Sequence, residues 1–338
     1  MIRWSTGALL AALFLAALAF GSVPVSPGDL WLALTGRPTA EPQTGAILLQ
    51  IRFPRALAAA LAGAALALAG LQMQTVFRNP LADPYILGVS SGASLGVALV
   101  LLAAAPFGAG LWGAFPVFGA VPVVVAASLG AGAVLALILG LTRRVGVTTL
   151  LIVGIMIAYL INAFVSLLLF FALPGQLQEF LSWSFGRFDA VPWPRFAVFG
   201  PVIAAGIVFG ALRFKSLDAL LLGEDQARLL GENTRAARFR ILGSAALLAG
   251  TVTAFCGPIG FLGVAVPHLA RGLFRTRSHR VLVPQCLVLG ACLALFADLV
   301  ARFPGSAATF PLNAVTAFLG APVILVVLLR GRKGALPA

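Results

Sequence analysis

At 338 residues the chain is 61% hydrophobic and only 10% charged, with a mean hydropathy of +1.05. A soluble protein of this length needs a charged surface of roughly a quarter of its residues, so much of this exterior must face lipid. The net charge of +13 sits in short basic clusters between apolar runs, the pattern that orients a membrane protein, and no basic face stands apart from those runs to take nucleic acid.

The apolar stretches are continuous Ala/Leu/Val/Gly runs. A membrane barrel would instead alternate over segments of about ten residues, so the fold class is all-α, one transmembrane domain over 1–338. Ten helices are predicted in chain order, at 6–23, 55–73, 86–105, 116–141, 147–172, 192–212, 237–256, 259–274, 281–301 and 311–329. The first, preceded by Arg3, imitates a secretory signal but reads as a retained span that orients those after it. Residues 24–54 carry Pro24, Pro27, Pro38 and Pro42 and read as an ordered irregular cap. Residues 173–191, with Phe180, Trp183 and Phe185, read as a short interfacial helix. Gly257-Pro258 breaks the chain between the seventh and eighth helices, and the eighth is short for a full span.

Alternate connections hold seventeen of the 23 Lys and Arg on one side, leaving Arg37, Arg52, Arg55, Arg187, Arg195 and Arg302 on the other. The richer side is predicted cytoplasmic, with both termini there. Leu61-Ala62-Gly63-x-x-x-Ala67-x-x-Gly70 recurs as Leu248-Ala249-Gly250-x-x-x-Ala254-x-x-Gly257, running the opposite way across the membrane, as an inverted repeat would.

Arg78-Asn79-Pro80-Leu81-Ala82-Asp83-Pro84 interrupts the helices with two prolines four apart. Irregular backbone at membrane depth is tolerated where it is buried in protein or lines an aqueous path. Ser90, Ser91, Gly92 and Ala93 then open the next helix with small residues suited to close packing. The segment reads as a constriction of a pathway, with Asn79 and Leu81 as candidate cytoplasmic gate residues, against the plainer reading of a polar turn. In the charged stretch 213–236, Ser216 is a candidate helix cap, and Gly223 and Gly231 bracket a second short helix over 224–230. Two short helices joined by glycine make a compact knob outside the bilayer.

No catalytic constellation is visible. His268 reads as a helix-end polar contact and His279, between Arg277 and Arg280, as part of a solvated cluster. Cys256, Cys286 and Cys292 lie in apolar runs without ligand spacing and read as packing residues. There is no Gly-x-x-x-x-Gly-Lys-Ser/Thr phosphate loop, so no nucleotide site of the usual kind and no resident cofactor or metal is expected. An ion-coupled secondary transporter, the alternative class, needs ionisable groups at mid-membrane. Of ten acids only Asp298 falls in a predicted span, one helical turn before Arg302.

Three segments, in order across residues 50–330, resemble signatures of the permease family of large type II ABC importers, which bring in ferric siderophores, haem and cobalamin. They are the Arg78–Ala93 stretch, Gly257-Pro258-Ile259-Gly260-Phe261-Leu262-Gly263-Val264-Ala265-Val266-Pro267-His268-Leu269-Ala270-Arg271, and Leu222-Gly223-Glu224-x-x-Ala227-x-x-Leu230-Gly231, which is similar to the family's coupling segment. The resemblance implies a multi-pass subunit of the inner (cytoplasmic) membrane that pairs with a second copy, with the translocation path between the two. It implies two ATP-binding subunits on the cytoplasmic side, holding the ATP and Mg, and one substrate-binding protein outside. The knob would dock the ATPase through Leu220, Leu221, Gly223, Glu224, Arg228 and Gly231. Arg52, Arg55 and Arg302 fall on positions that meet the binding protein's acids in that family, against the plainer reading of interfacial anchoring. Arg143–Thr149 resembles a second gate region, with Val147, where a small polar residue is expected, and Thr148 as gate residues. The three cargo classes share these motifs.

Overall fold

The computed structural model describes residues 2–21, 25–39, 41–103, 121–142, 144–302 and 309–331. Among them every regular element is helical: α1 (Ile2–Ala19), α2 (Pro27–Leu34), α3 (Pro42–Ala46), α4 (Phe53–Val76), α5 (Val89–Ala103), α6 (Val121–Thr142), α7 (Val147–Phe170), α8 (Pro174–Ser184), α9 (Trp193–Ala211), α10 (Phe214–Leu222), α11 (Glu224–Leu229), α12 (Thr234–Cys256), α13 (Leu262–Phe274), α14 (His279–Ala301) and α15 (Leu312–Gly331). A helix of at least 13 residues stands at each of the ten predicted places. Among the described residues, six helical stretches are long and apolar enough to cross a membrane by length and composition. The predicted start of the fourth helix, at 116, and Arg143 lie outside the described residues.

The predicted irregular cap is largely helical. Ser26 caps α2, its hydroxyl accepting from the Asp29 N–H at 3.0 Å, and α3 runs through a π-helical turn, Ile47–Arg52, straight into α4. Pro54 explains the turn: its ring has no N–H and would collide with the carbonyl four residues back in a regular helix, and wider winding just before it relieves both. The rod from Pro42 to Val76 therefore takes in residues that the proline pattern assigned to the irregular cap.

α4 is the centre of the bundle, buried at nearly every position from Ala62 to Val76. Lipid supplies no hydrophobic force between helices, so association relies on small residues that let backbones touch. Here they do. A methyl group on Gly63 would strike the Gly290 carbonyl of α14, one on Gly70 the Gly263 carbonyl of α13, and one on Gly96 of α5 the Ala126 carbonyl of α6. Of all its partners, α4 packs most extensively on α14. The two copies of the sequence repeat differ in use: Gly70 is mid-helix, whereas Gly257, at φ 77°, ends α12.

At the Gly257 break, Arg187 N–H donates to Cys256 O at 2.7 Å. Asn313 fastens the neighbouring segments by accepting from the Gly260 N–H and donating to Ser184 O. This junction and the knob α10–α11 mark opposite ends of the bundle.

Candidate functional site

At the knob end, Gly223 separates α10 from α11 with φ 118° and ψ 155°, a conformation only glycine adopts readily. The Arg78 guanidinium lies over it, where any side chain would collide, and Arg78 Nε and Nη2 donate to Leu220 O at 3.4 and 3.5 Å. The predicted gate turn and the predicted coupling knob are thus in contact. Within the turn, Asn79 Oδ1 accepts from the Leu81 N–H at 3.0 Å, and His268 Nε2 meets Pro80 O at 2.8 Å, the polar contact expected of that histidine.

The knob's leucines divide by face. Leu217 and Leu220 are buried, while Leu221 and Leu222 are exposed, as are Leu229 at 88% and Leu230 at 67%. The Leu220 side chain therefore turns inward and offers a partner nothing directly. Glu224 joins Arg228 at 3.5 Å and Arg238 at 3.1 Å, tying α11 to the start of α12. Ser216 is inside α10 rather than its cap: its hydroxyl donates to Glu232 Oε1 at 2.9 Å, closing the knob on itself.

Sequence reasoning missed a second feature here. His279 is not solvated; it is 1% exposed. Its Nδ1–H donates to Asp218 Oδ1 of α10 at 2.8 Å, and its Nε2 meets the Thr75 hydroxyl of α4, also at 2.8 Å. The His279 backbone N–H also donates to Asp218 Oδ1, at 2.8 Å. Asp218 thus satisfies one of the orphan donors at the N-terminus of α14 and places negative charge at its positive end. The spacing Asp218…His279 carries no local signal, which is why only the fold reveals it.

At the opposite end, Asp298 of α14 is held between two arginines. Arg55 Nε and Nη2 grip it bidentately at 2.8–3.2 Å, and Arg302 Nη2 lies 2.8 Å from Oδ2. Arg52 Nη1 donates to Leu18 O and Ala19 O at 2.7 and 2.8 Å, and Arg302 Nη1 to Ala17 O at 3.3 Å, so both serve the C-terminal carbonyls of α1. Arg52 and Arg302 are buried. Arg55 alone of the three borders a cavity of about 220 Å³, shared with Arg187 and Asp189.

Val147 and Thr148 begin α7, and no hydrogen bond joins either to the other clusters among the described residues. The gate segment instead meets α7 about two turns on, where Gly154 faces Ile86 and Leu87. α7 itself carries an unforeseen pattern. Thr148, Tyr159, Asn162 and Ser166 are all exposed, Tyr159 at 69%. Their spacing puts them on one face of the helix, between exposed apolar positions such as Ile152 and Phe170. Polar groups are costly against lipid, so this stripe points to a wet surface.

Asp83, in the connection between α4 and α5, accepts from the Tyr85 N–H at 2.8 Å and lies against Gly263. Burial pushes its carboxyl from 3.8 up to about 6, the Tyr85 bond opposing that shift. A raised carboxyl binds its proton more readily in the folded state, so its contribution to stability is present below pH 3.8 and lost as the pH rises to about 6. Thermal unfolding in detergent at pH 4 and pH 6.5 should therefore show Asp83→Asn gaining relative to wild type at the higher pH. An equal difference at both values contradicts the assignment.

Among the described residues no group of three or more His, Cys, Asp or Glu could hold a metal ion, and the three cysteines are buried and free.

Comparison with known proteins places this arrangement. The chain is 37% identical over 327 residues to the hemin transport system permease protein HmuU of Yersinia pestis, covering 96% of this chain and 94% of that one. It is 34% identical over 334 residues to the vitamin B12 import system permease protein BtuC of Klebsiella pneumoniae, covering 98% and 94%. A solved structure described as an inward-facing conformation of a metal-chelate type ABC transporter superposes with a TM-score of 0.83 at 28% identity, over 97% of this chain and 99% of that one. The model of the FecCD transport family matches residues 9–330. A match running from α1 to the last turn of α15 leaves one conclusion: this multi-pass membrane protein belongs to the FecCD transport family.

Proposed function

We propose that the chain is the permease subunit of an ATP-driven importer for a large metal chelate, working as a homodimer in the cytoplasmic membrane, with its knob end in the cytoplasm. The observation that carries this reading is the knob. Gly223 and Gly231, both at positive φ, fold α10 and α11 into a unit that is tied to the bundle through Arg78 and Glu224 and holds Leu222, Leu229 and Leu230 out to water. Apolar side chains displayed on a small, internally bonded knob suit a groove on a partner. The seventeen basic residues of the cytoplasmic connections agree with that side.

Two ATP-binding subunits would take the knobs, bringing the ATP and Mg that this chain has no phosphate loop to hold. Gly223 and Gly231 would set the knob's shape, Leu221, Glu224 and Arg228 its contact rim, and Leu220 its inner anchor. The path would run between the two copies along the α7 stripe, closed on the cytoplasmic side by Asn79 and Leu81 with Val147 and Thr148. A substrate-binding protein would deliver cargo at the opposite end. There Arg55, through its cavity, keeps a route to the surface, and Arg52 and Arg302 support it from below. The names of the hemin and vitamin B12 relatives support a bulky metal chelate as cargo, and a stripe of hydroxyl and amide groups without a deep charged pocket suits its release. The ion-coupled alternative loses support because Asp298, the acid expected in a span, is locked in an ion pair.

The double substitution Leu229→Asp with Leu230→Asp tests this. Two charges in an apolar docking surface should weaken co-purification of the ATPase and uptake by at least about tenfold, with the melting temperature unchanged because both side chains are solvated. Uptake that persists with an inactivated ATPase but stops on collapse of the ion gradient would sink the reading.

A further inference from the structure

We infer that α4 and α14 form a single rigid strut that carries movement of the knob to the far end of the bundle, with Asp218 and His279 as its inner joint. This rests on the importer reading and extends it by naming the residues through which the work passes.

The two helices are pinned at three levels. At the far end, Arg55 of α4 grips Asp298 of α14, with a shortest separation of 2.8 Å. In the middle, the Gly63 and Gly290 backbones touch so closely that neither position has room for a methyl group. At the knob end, the Thr75 hydroxyl of α4 meets His279 of α14 at 2.8 Å. A helix pair clamped at both ends and in contact midway has little freedom to slide or splay, because packed interiors shift between discrete arrangements rather than deform. With 23 residues in α14, the strut is about 35 Å long at ~1.5 Å per residue.

Asp218 joins the knob to this strut. One carboxylate oxygen takes both the ring Nδ1–H and the backbone N–H of His279, so α10 is bonded to the first residue of α14 and, through the imidazole, to α4. The His279 side chain in this joint is 1% exposed and that of Asp218 37%. Leu217 and Leu220 on the same helix are also buried, so α10 moves with the strut, whereas the outer rim of the knob is free to meet a partner. Asp218 and His279 are positioning residues, acting through the helices they join.

The test uses the dimeric permease assembled with its ATPase, and a spin label at Ile51→Cys, a position 58% exposed just before α4. The distance between the two labels is measured without nucleotide and with ATP under non-hydrolysing conditions. Wild type should show a nucleotide-dependent change. Asp218→Ala should reduce it to less than about a third, whereas Asp218→Asn should keep most of it, since the amide oxygen accepts the same two bonds. Hydrogen exchange at the backbone of residues 279–281 gives a second reading, faster in Asp218→Ala and near wild type in Asp218→Asn. A purely structural role would lower the yield of complex without separating these two variants.

The strut is overturned if Asp218→Ala moves the labels as wild type does, if Asp218→Asn fails as badly as Asp218→Ala, or if an assembled wild-type complex binds ATP with no movement at Ile51. Failure of the importer reading looks different: the ATPase does not bind the permease at all.

Discussion

Asp298→Ala is expected to lower folding stability by about 3–5 kcal/mol, the cost of breaking a buried ion pair from one side. The substitution removes one carboxylate and leaves two guanidinium groups, Arg55 and Arg302, facing each other in its former site. Arg302 cannot withdraw easily, because it is buried and also holds the carbonyls at the end of α1. Removing the charges together should be far milder: Arg55→Met, Asp298→Leu and Arg302→Met combined should recover most of the loss, since apolar side chains of similar volume replace ion triads well. Thermal unfolding in detergent measures both. A loss below about 1 kcal/mol in Asp298→Ala would be the behaviour of a solvated surface pair and would contradict the buried triad.

Gly70→Ala should be the most damaging single-methyl change in the bundle, costing about 3 kcal/mol or more, at the upper end of overpacking effects. The added methyl would meet the backbone carbonyl of Gly263, and a backbone cannot rotate aside as a side chain can. α4 and α13 would have to part, and α13 carries His268, which holds the gate turn through Pro80. Gly132→Ala is the control: nothing lies within 4 Å of its added methyl, so a change of no more than ~0.5 kcal/mol is expected. Comparable melting temperatures for the two variants would show that the close backbone contact is not made.

Much of this was legible in the chain. Uninterrupted apolar runs of helical length fixed the element type and placement, because in lipid every backbone group must be satisfied within its own segment. The pairing of Asp298 with Arg302 followed from spacing alone. Arg55 as the third member did not, since 243 residues separate it from its acid. The helix read as starting at 55 begins earlier because a π-helical turn, invisible to periodicity, leads into it ahead of Pro54. His279 was misread for the opposite reason: its neighbours Arg277 and Arg280 are exposed and suggested solvent, whereas the ring itself points inward to Thr75 and Asp218. In the knob, a run of three leucines at 220–222 gave no clue to which face was buried. The four members of the α7 stripe were visible at helical spacing but are thinly spread over nineteen residues, and their shared exposure on one face makes them a pattern.

That stripe bears on how the protein is made. A solitary copy released into the bilayer would turn a phenol, a carboxamide and two hydroxyls toward acyl chains, with the ring of Tyr159 standing clear of its own bundle. Such a surface is an invitation to membrane proteases and to wrong partners. Under the proposed pairing of two copies, overproduction of the orphan alone should yield short-lived protein.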